Sequence, residues 1–302
     1  MYTDFYNKLK EIISEELILK NEPMSKHTTF RIGGNADLYV SPELSQVAYI
    51  LALAKEYKVP VTIIGNGSNL LVGDKGIRGL VLSFGKSADI LEIDGTRMTI
   101  GAGTLLSRAA AEAAKNSLTG LEFAAGIPGT LGGAIVMNAG AYGGEFKDIV
   151  LETTYLDENL EMQTITNMEH SFSYRDSLFN QNDEYIIINT KLKLNKDNRE
   201  KIKNKMDENS KKRREKQPIN YPNAGSIFKR KNEYIPAEII DKSGLKGYNI
   251  GDAYISEMHA GFIVNKGKAT ASDVLKLIEY IKENIKEKYN IDLELEIKII
   301  GE

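Results

Sequence analysis

An α+β fold in two parts is predicted for this chain by three observations. Its 302 residues allow two or three domains, since domains typically run to about 100–200 residues. Helical and strand-like periodicities are mixed along the chain. Near residue 195 the strand patterns give way to a highly charged helix, which divides the chain into parts 1–195 and 196–302.

Phe5, Leu9, Ile12, Ile13 and Leu17 fall at helical spacing, so the N-terminus reads as an amphipathic helix. After a polar stretch holding Pro23, residues 37–40 read as a short strand ended by Ser41-Pro42. From Leu44 to Tyr57 the spacing of Val47, Ile50, Leu51 and Ala54 predicts a helix. Residues 59–64 form a buried-type strand that runs directly into Gly65, and 79–83 and 98–101 are further strands. Leu105 to Lys115 is Ala-rich and helical, and a Gly-rich segment, 126–144, follows it. Strands are expected over 149–156, 161–166 and 185–194. Glu200 to Lys216 is the charged helix, ended by Pro218, and residues 219–269 are turn-rich. From Ser272 to Tyr289, the residues Val274, Leu277, Ile278, Ile281 and Ile285 share one helical face, with Ser272 or Thr270 as N-cap. The chain closes on a strand over 291–300, where Leu293, Leu295 and Ile297 alternate with Glu294, Glu296 and Lys298.

Composition excludes several function classes. Apolar residues make up 42% of the chain and charged residues 27%, as in soluble globular proteins. A net charge of −3 provides no global positive field, so nucleic acid is not an expected partner. The absence of cysteine excludes disulfides, thiolate metal sites and cysteine nucleophiles. His27, His170 and His259 are scattered, and no metal is expected. Residues 1–20 lack the apolar core of a signal peptide, and no apolar run approaches the ~20 residues that span a bilayer. A cytoplasmic protein without membrane insertion is therefore expected, and nothing marks an obligate protein partner.

Two glycine-rich segments point to a ligand. Gly65-Asn-Gly-Ser-Asn-Leu-Leu71 follows a strand and exposes consecutive backbone N–H groups, which suit a pyrophosphate. It is not a Rossmann fingerprint, because Leu70 stands where a third glycine would be, and it lacks the Gly-Lys-Ser/Thr of a Walker loop. A tight hairpin turn explains it equally well. The stretch from Gly126-Ile-Pro-Gly-Thr-Leu-Gly-Gly133 to Gly144 holds seven glycines interleaved with Ile, Leu, Val and Met. That composition suits a wall against which something flat packs, or close contact between backbone segments.

Three polar residues stand out by their company. Arg175 lies in Ser173-Tyr-Arg-Asp-Ser177, Ser226 in the glycine-flanked turn Asn223-Ala-Gly-Ser-Ile-Phe-Lys229, and Glu296 among apolar residues of the last strand. Each has a plain structural alternative. Arg175 would pair with Asp176 or cap a turn, Ser226 would be an N-cap, and Glu294 and Glu296 would share a solvated face.

These stretches resemble the UDP-N-acetylenolpyruvoylglucosamine reductase family, in its compact subtype without an extra Tyr-bearing loop. His27-Thr-Thr-Phe-Arg-Ile-Gly-Gly34, Gly65 to Val72, Gly126 to Gly144, Ser173 to Ser177, Gln217-Pro218, Asn223 to Lys229, His259-Ala-Gly-Phe-Ile-Val-Asn265 and Leu293 to Ile297 occur in the family's order along nearly the whole chain. The terminal motif departs from the family's usual Leu-Glu-Pro-Glu or Leu-Glu-Arg-Glu, reading Leu-Glu-Leu-Glu here. The resemblance implies a two-subdomain FAD-binding fold of the vanillyl-alcohol oxidase type over 1–195, split near 85. A C-terminal α+β substrate-binding domain over 196–302 follows, and its last strand returns toward the FAD part.

The resemblance also implies non-covalent FAD, NADPH as reductant and a UDP-sugar substrate. Cofactor contacts fall on Gly65, Asn66, Gly67, Ser68, Asn69 and Leu70, and on Gly126, Ile127, Pro128, Gly129, Gly132, Gly133, Ala134, Asn138 and Gly140. Ser226 would be the proton donor, with Arg175 and Glu296 stabilising charge on the substrate carboxylate, and Glu294 as the second choice of carboxylate. Tyr174, Lys216, Asn223, Gly225 and His259 would contact substrate, and Tyr142 is a further candidate to cover it. Most of Lys211, Lys212, Arg213 and Arg214 fit a solvated helix face. Two other readings stay open on the sequence: a flavin oxidase of the same fold acting on an alcohol or sugar, and a flavin- or nucleotide-binding sensor.

Overall fold

A computed structural model describes residues 2–84, 88–231 and 233–302. The chain forms two compact units, each assembled from three separate segments. The first holds Met1–Leu19, Tyr39–Asn66 and Gly79–Lys212, and the second Lys20–Leu38, Gly67–Arg78 and Arg213–Glu302. The subdomain split expected near residue 85 lies outside the described residues. Among the described residues, no helix is long and apolar enough to cross a membrane.

The first unit is built on a five-stranded antiparallel sheet. Its order is Met162–Thr166, Val150–Leu156, Ile186–Lys193, Arg97–Gly101, Leu91–Asp94. The apolar side chains Met98, Ile100, Ile188 and Leu192 leave water, the dominant favourable term in such a layer. The Ala-rich helix Leu106–Lys115 buries Leu106, Ala109, Ala110 and Ala113, small side chains that permit close packing. Val61–Ile64 runs parallel to residues 80–83 before entering Gly65. The N-terminal helix is shorter than its periodicity suggests. It ends at Ile12, and a separate 3-10 turn carries Leu17, which is exposed.

One buried polar chain crosses this sheet. His170 is fully buried, and its Nδ1 donates to the Thr166 carbonyl at 2.8 Å. Its Nε2 meets Thr153 Oγ1 at 2.8 Å, and Thr153 meets Thr190 Oγ1 at 2.9 Å. Burial holds the His170 pKa below the ordinary histidine value, and His259 is lowered by burial in the same way. An unfolded histidine titrates near ~6.5, so between the two values the unfolded chain binds more protons. Stability is therefore complete above about pH 6.5 and falls as pH drops below it. The urea midpoint should decline from pH 7.5 to 5.5, and a double His170→Asn, His259→Asn variant should flatten that slope.

In the second unit the helix Ala271–Tyr289 buries Val274, Leu277, Ile278, Ile281 and Ile285, the face read from the sequence. Thr270 is the N-cap: its hydroxyl accepts from Asp273 N at 3.0 Å, and Asp273 Oδ2 returns the bond to Thr270 N at 2.9 Å. The Asp74 carboxylate takes the next two orphan N–H groups, Ala271 at 2.7 Å and Ser272 at 2.9 Å.

The turn-rich reading of 219–269 requires correction. That stretch holds a four-stranded antiparallel sheet in the order Asn223–Ser226, Phe262–Asn265, Ala253–Ile255, Asn249–Ile250, and a helix, Pro236–Lys242. Its strands are two to four residues long, too short to show alternation between glycine-rich turns. The last strand is corrected too. Only Lys298–Ile300 forms a strand, parallel to Leu70–Val72. The preceding residues bond a different neighbour: Lys229 N donates to Glu294 O and Glu296 N to Ile227 O, both at 2.8 Å. A segment that changes partner midway cannot remain one continuous ladder.

Candidate active site

The two glycine segments meet within the first unit. Asn66 Nδ2 donates to the Pro128 carbonyl at 2.7 Å. A Cβ on Gly65 would lie 2.3 Å from Thr130 Oγ1, so only glycine permits this approach. The second segment is not wholly loop as the sequence suggested. Leu131–Val136 is a short helix, with Leu131 N bonded to Thr104 O and Gly132 N to Ala102 O. Gly132 admits that contact, since a Cβ there would come within 3.1 Å of Ala102 Cβ. Among the described residues, no protein acceptor takes the N–H groups of Asn66, Gly67 and Ser68, nor those of Gly126, Gly129 and Gly133. Backbone donors of this kind fit the phosphates of a dinucleotide cofactor.

Gly67 belongs to the second unit and has φ +60°. A Cβ there would sit 2.1 Å from the His27 carbonyl oxygen, and backbone cannot yield as a side chain does. Gly67→Ala should therefore cost about 2 kcal/mol or more, by adding left-handed strain to a clash. A urea titration would read the loss, and gel filtration with FAD would read cofactor retention.

Arg175 lies on a tight turn. Ser173 N donates to Asp176 O at 3.1 Å and Asp176 N to Ser173 O at 3.3 Å, and Arg175 within it has φ +56°. A left-handed arginine is uncommon and marks backbone held there by its surroundings. Its Nη2 donates to Gly140 O at 3.1 Å, and its guanidinium stands 5.0 Å from the centre of the Tyr174 ring. Tyr174 and Tyr142 are both exposed. Ser177 and Asn138, both fully buried, tie this turn to the end of the short helix and the residue beyond it: Ser177 Oγ donates to Val136 O, and Asn138 Nδ2 to Ser173 O, each at 2.9 Å. The Asn138 side-chain amide is thus committed inside the protein. The sequence reading passed over Ser177 and Thr130, since a lone hydroxyl without spacing to a partner gives no signal.

Ser226 and Glu296 belong to the second unit. Ser226 ends the strand Asn223–Ser226, opposite Phe262, past a register shift. Gly225 has φ +80° with nothing within 4 Å of its Cβ position, so the backbone turns into open space just before the serine. Asn223 braces that turn, accepting from Gly225 N at 3.0 Å and donating to Tyr221 O at 2.8 Å. Thr29 Oγ1 donates to Asn223 O at 2.7 Å, which gives the His27–Gly34 stretch a structural role. Among the described residues the Ser226 hydroxyl has no hydrogen-bond partner. It is presented, not consumed as an N-cap.

Glu296 follows the isolated bridge Phe228–Leu295, so the segments carrying it and Ser226 lie side by side. Asn69 from the first glycine loop donates to Glu296 O at 3.0 Å. Glu294 points elsewhere. Its carboxylate is exposed and bonded to Lys229 Nζ at 2.6 Å, and that hydrogen bond lowers its pKa. His259 accepts from Gly261 N through Nδ1 at 3.2 Å, which leaves Nε2 to carry the proton of the neutral ring. Lys216 is exposed at the end of the helix Arg199–Lys216.

Known proteins share these features from end to end. Residues 217–300 match the family profile described as UDP-N-acetylenolpyruvoylglucosamine reductase, C-terminal domain, and residues 36–166 match that described as FAD binding domain. The UDP-N-acetylenolpyruvoylglucosamine reductase of Agathobacter rectalis is 47% identical, with 100% of each chain covered. That of Caldanaerobacter subterraneus is 49% identical over 98% of each. The crystal structure of UDP-N-acetylenolpyruvylglucosamine reductase from Thermus caldophilus aligns with a TM-score of 0.80 at 32% identity, covering 93% of this chain and 97% of that one. An alkyldihydroxyacetonephosphate synthase aligns with a TM-score of 0.50 at 16% identity, covering 65% and 41%, a likeness of fold alone. The expected architecture, an FAD-binding fold followed by a family-specific C-terminal domain, is the one observed. On its full-length identity to named members, this chain belongs to the UDP-N-acetylenolpyruvoylglucosamine reductase family.

Proposed function

We propose that this chain reduces the enolpyruvyl group of UDP-N-acetylglucosamine enolpyruvate to give UDP-N-acetylmuramate, a peptidoglycan precursor, using FAD and NADPH. The observation that carries this is end-to-end similarity to reductases of that name. The glycine segments fit the cofactor, because the N–H groups of Asn66, Gly67, Ser68, Gly126, Gly129 and Gly133 have no acceptor among the described residues. Held by these segments, FAD would supply hydride chemistry at the substrate double bond, with NADPH as the reductant.

The remaining chemistry falls to side chains of this chain. As the distal carbon gains hydride, negative charge moves toward the substrate carboxylate. Arg175 holds that carboxylate with a permanent cation and a fork of donors. Glu296 is the second carboxylate-facing residue; Glu294, exposed and paired with Lys229, is unsuited to the role. Ser226 delivers a proton to the carbon beside the carboxylate, and the lack of a hydrogen-bond partner for its hydroxyl among the described residues supports this. Tyr174, Lys216, Asn223, Gly225 and the Nε2–H of His259 are the proposed contacts to the sugar nucleotide, and Tyr142 is a further candidate to cover it. NADPH and nucleotide sugars are cytoplasmic metabolites, which places the reaction there.

The test is direct. The purified protein should show a flavin spectrum or take up added FAD, and under anaerobic conditions NADPH consumption should exceed one equivalent per flavin only when the enolpyruvyl substrate is present. A protein that cannot bind FAD would sink the proposal. Rapid reoxidation by air without that substrate would favour the oxidase reading.

A further inference from the structure

Asn138 occupies an unusual position for a polar side chain: it is fully buried, with backbone φ +40°. Its Nδ2 donates to Glu145 Oε2 and to Ser173 O, both at 2.9 Å, while its Oδ1 accepts from Lys147 N at 2.9 Å. The Ser173 carbonyl is the base of the tight turn that holds Arg175 at φ +56°. Two further bonds reach that turn from the same short stretch, Ser177 Oγ to Val136 O at 2.9 Å and Arg175 Nη2 to Gly140 O at 3.1 Å. Residues 136–140 therefore grip the turn before, at and after the arginine.

We infer that Asn138 is a positioning residue that sets the placement of the Arg175 guanidinium through the Ser173 carbonyl. The inference rests on the role of Arg175 given above. Asparagine meets both demands of the position. It tolerates the left-handed backbone, and it supplies two donors toward a carboxylate and a carbonyl. Aspartate would set oxygen against oxygen at both contacts. A misplacement of about 1 Å costs roughly 10²-fold in a positioned reaction, and a fork of donors tolerates less error than a point charge.

The experiment is a double-mutant cycle on the FAD-loaded protein. Asn138→Gly keeps the backbone conformation and removes the side chain, and Asn138→Asp keeps the shape but inverts the donors. Two half-reactions are followed by stopped flow: flavin reduction by NADPH, and flavin reoxidation by UDP-N-acetylglucosamine enolpyruvate. Product affinity is measured separately on the oxidised protein by titration calorimetry with UDP-N-acetylmuramate.

Either Asn138 variant should slow reoxidation by the enolpyruvyl substrate roughly 10- to 100-fold more than it slows flavin reduction by NADPH, and bind product more weakly. Combined with Arg175→Ala, Asn138→Gly should add less than about threefold, because the group it positions is already gone. Multiplying effects beside a slow Arg175→Ala would overturn the positioning role alone. Loss of bound flavin in both Asn138 variants would assign the residue to the fold and overturn it too. If Arg175→Ala by itself reoxidises at the native rate, the assignment of Arg175 fails first and the positioning role falls with it.

Discussion

Ser226→Ala should leave flavin reduction by NADPH near its native rate and slow reoxidation by the enolpyruvyl substrate by roughly 10²–10⁴-fold, the usual range for a positioned acid. Hydride arrival makes the carbon next to the carboxylate strongly basic. An alcohol is a weak acid, so it serves as donor only where it is close, open and not tied to another acceptor. Ser226 has the last two properties: Gly225 turns the backbone into open space, Asn223 holds the turn, and the hydroxyl has no partner among the described residues. The substitution removes one oxygen from a strand end, so the fold should hold. Anaerobic stopped-flow spectroscopy at the flavin band separates the two half-reactions, and equal slowing of both would remove Ser226 from the proton-transfer step.

Arg175→Ala should lower the rate of substrate reduction by about 10²–10³-fold, the effect of removing one preorganised donor from developing charge. Arg175→Lys should recover only part of this, since a point charge replaces a planar fork. The left-handed backbone argues that the arginine is held for a purpose. Strain of that kind persists only where surrounding bonds enforce it, and here they come from Asn138, Ser177 and Gly140. Alanine at φ +56° retains the strain, so Arg175→Gly serves as the control. If glycine and alanine lose activity equally, the loss belongs to the guanidinium, which product affinity measured in parallel would also register.

How much of this was legible beforehand depended on the length of the signal. The apolar stripe from Val274 to Ile285 repeats over several turns, and burial follows it. The strands between 149 and 195 alternate long enough to read. The four short strands between 223 and 265 gave no such pattern, because two to four residues hold only one or two periods. The final segment misled for the opposite reason: its alternation is regular, but it bonds first beside Phe228 and only then along Leu70–Val72.

The sequence by itself determined the residue types and the motifs that mark the family, with glycines where backbone must come close and an arginine, a serine and a glutamate in recognisable settings. Only the tertiary structure decided which groups remain available. It ties Glu294 to Lys229 and leaves the Ser226 hydroxyl without a partner among the described residues. It spends the Asn138 amide on the Arg175 turn and sets Asn66 against Pro128. The physical reason is that hydrogen-bond capacity is finite and is consumed by neighbours far away in the chain. No local pattern records which donors are already used.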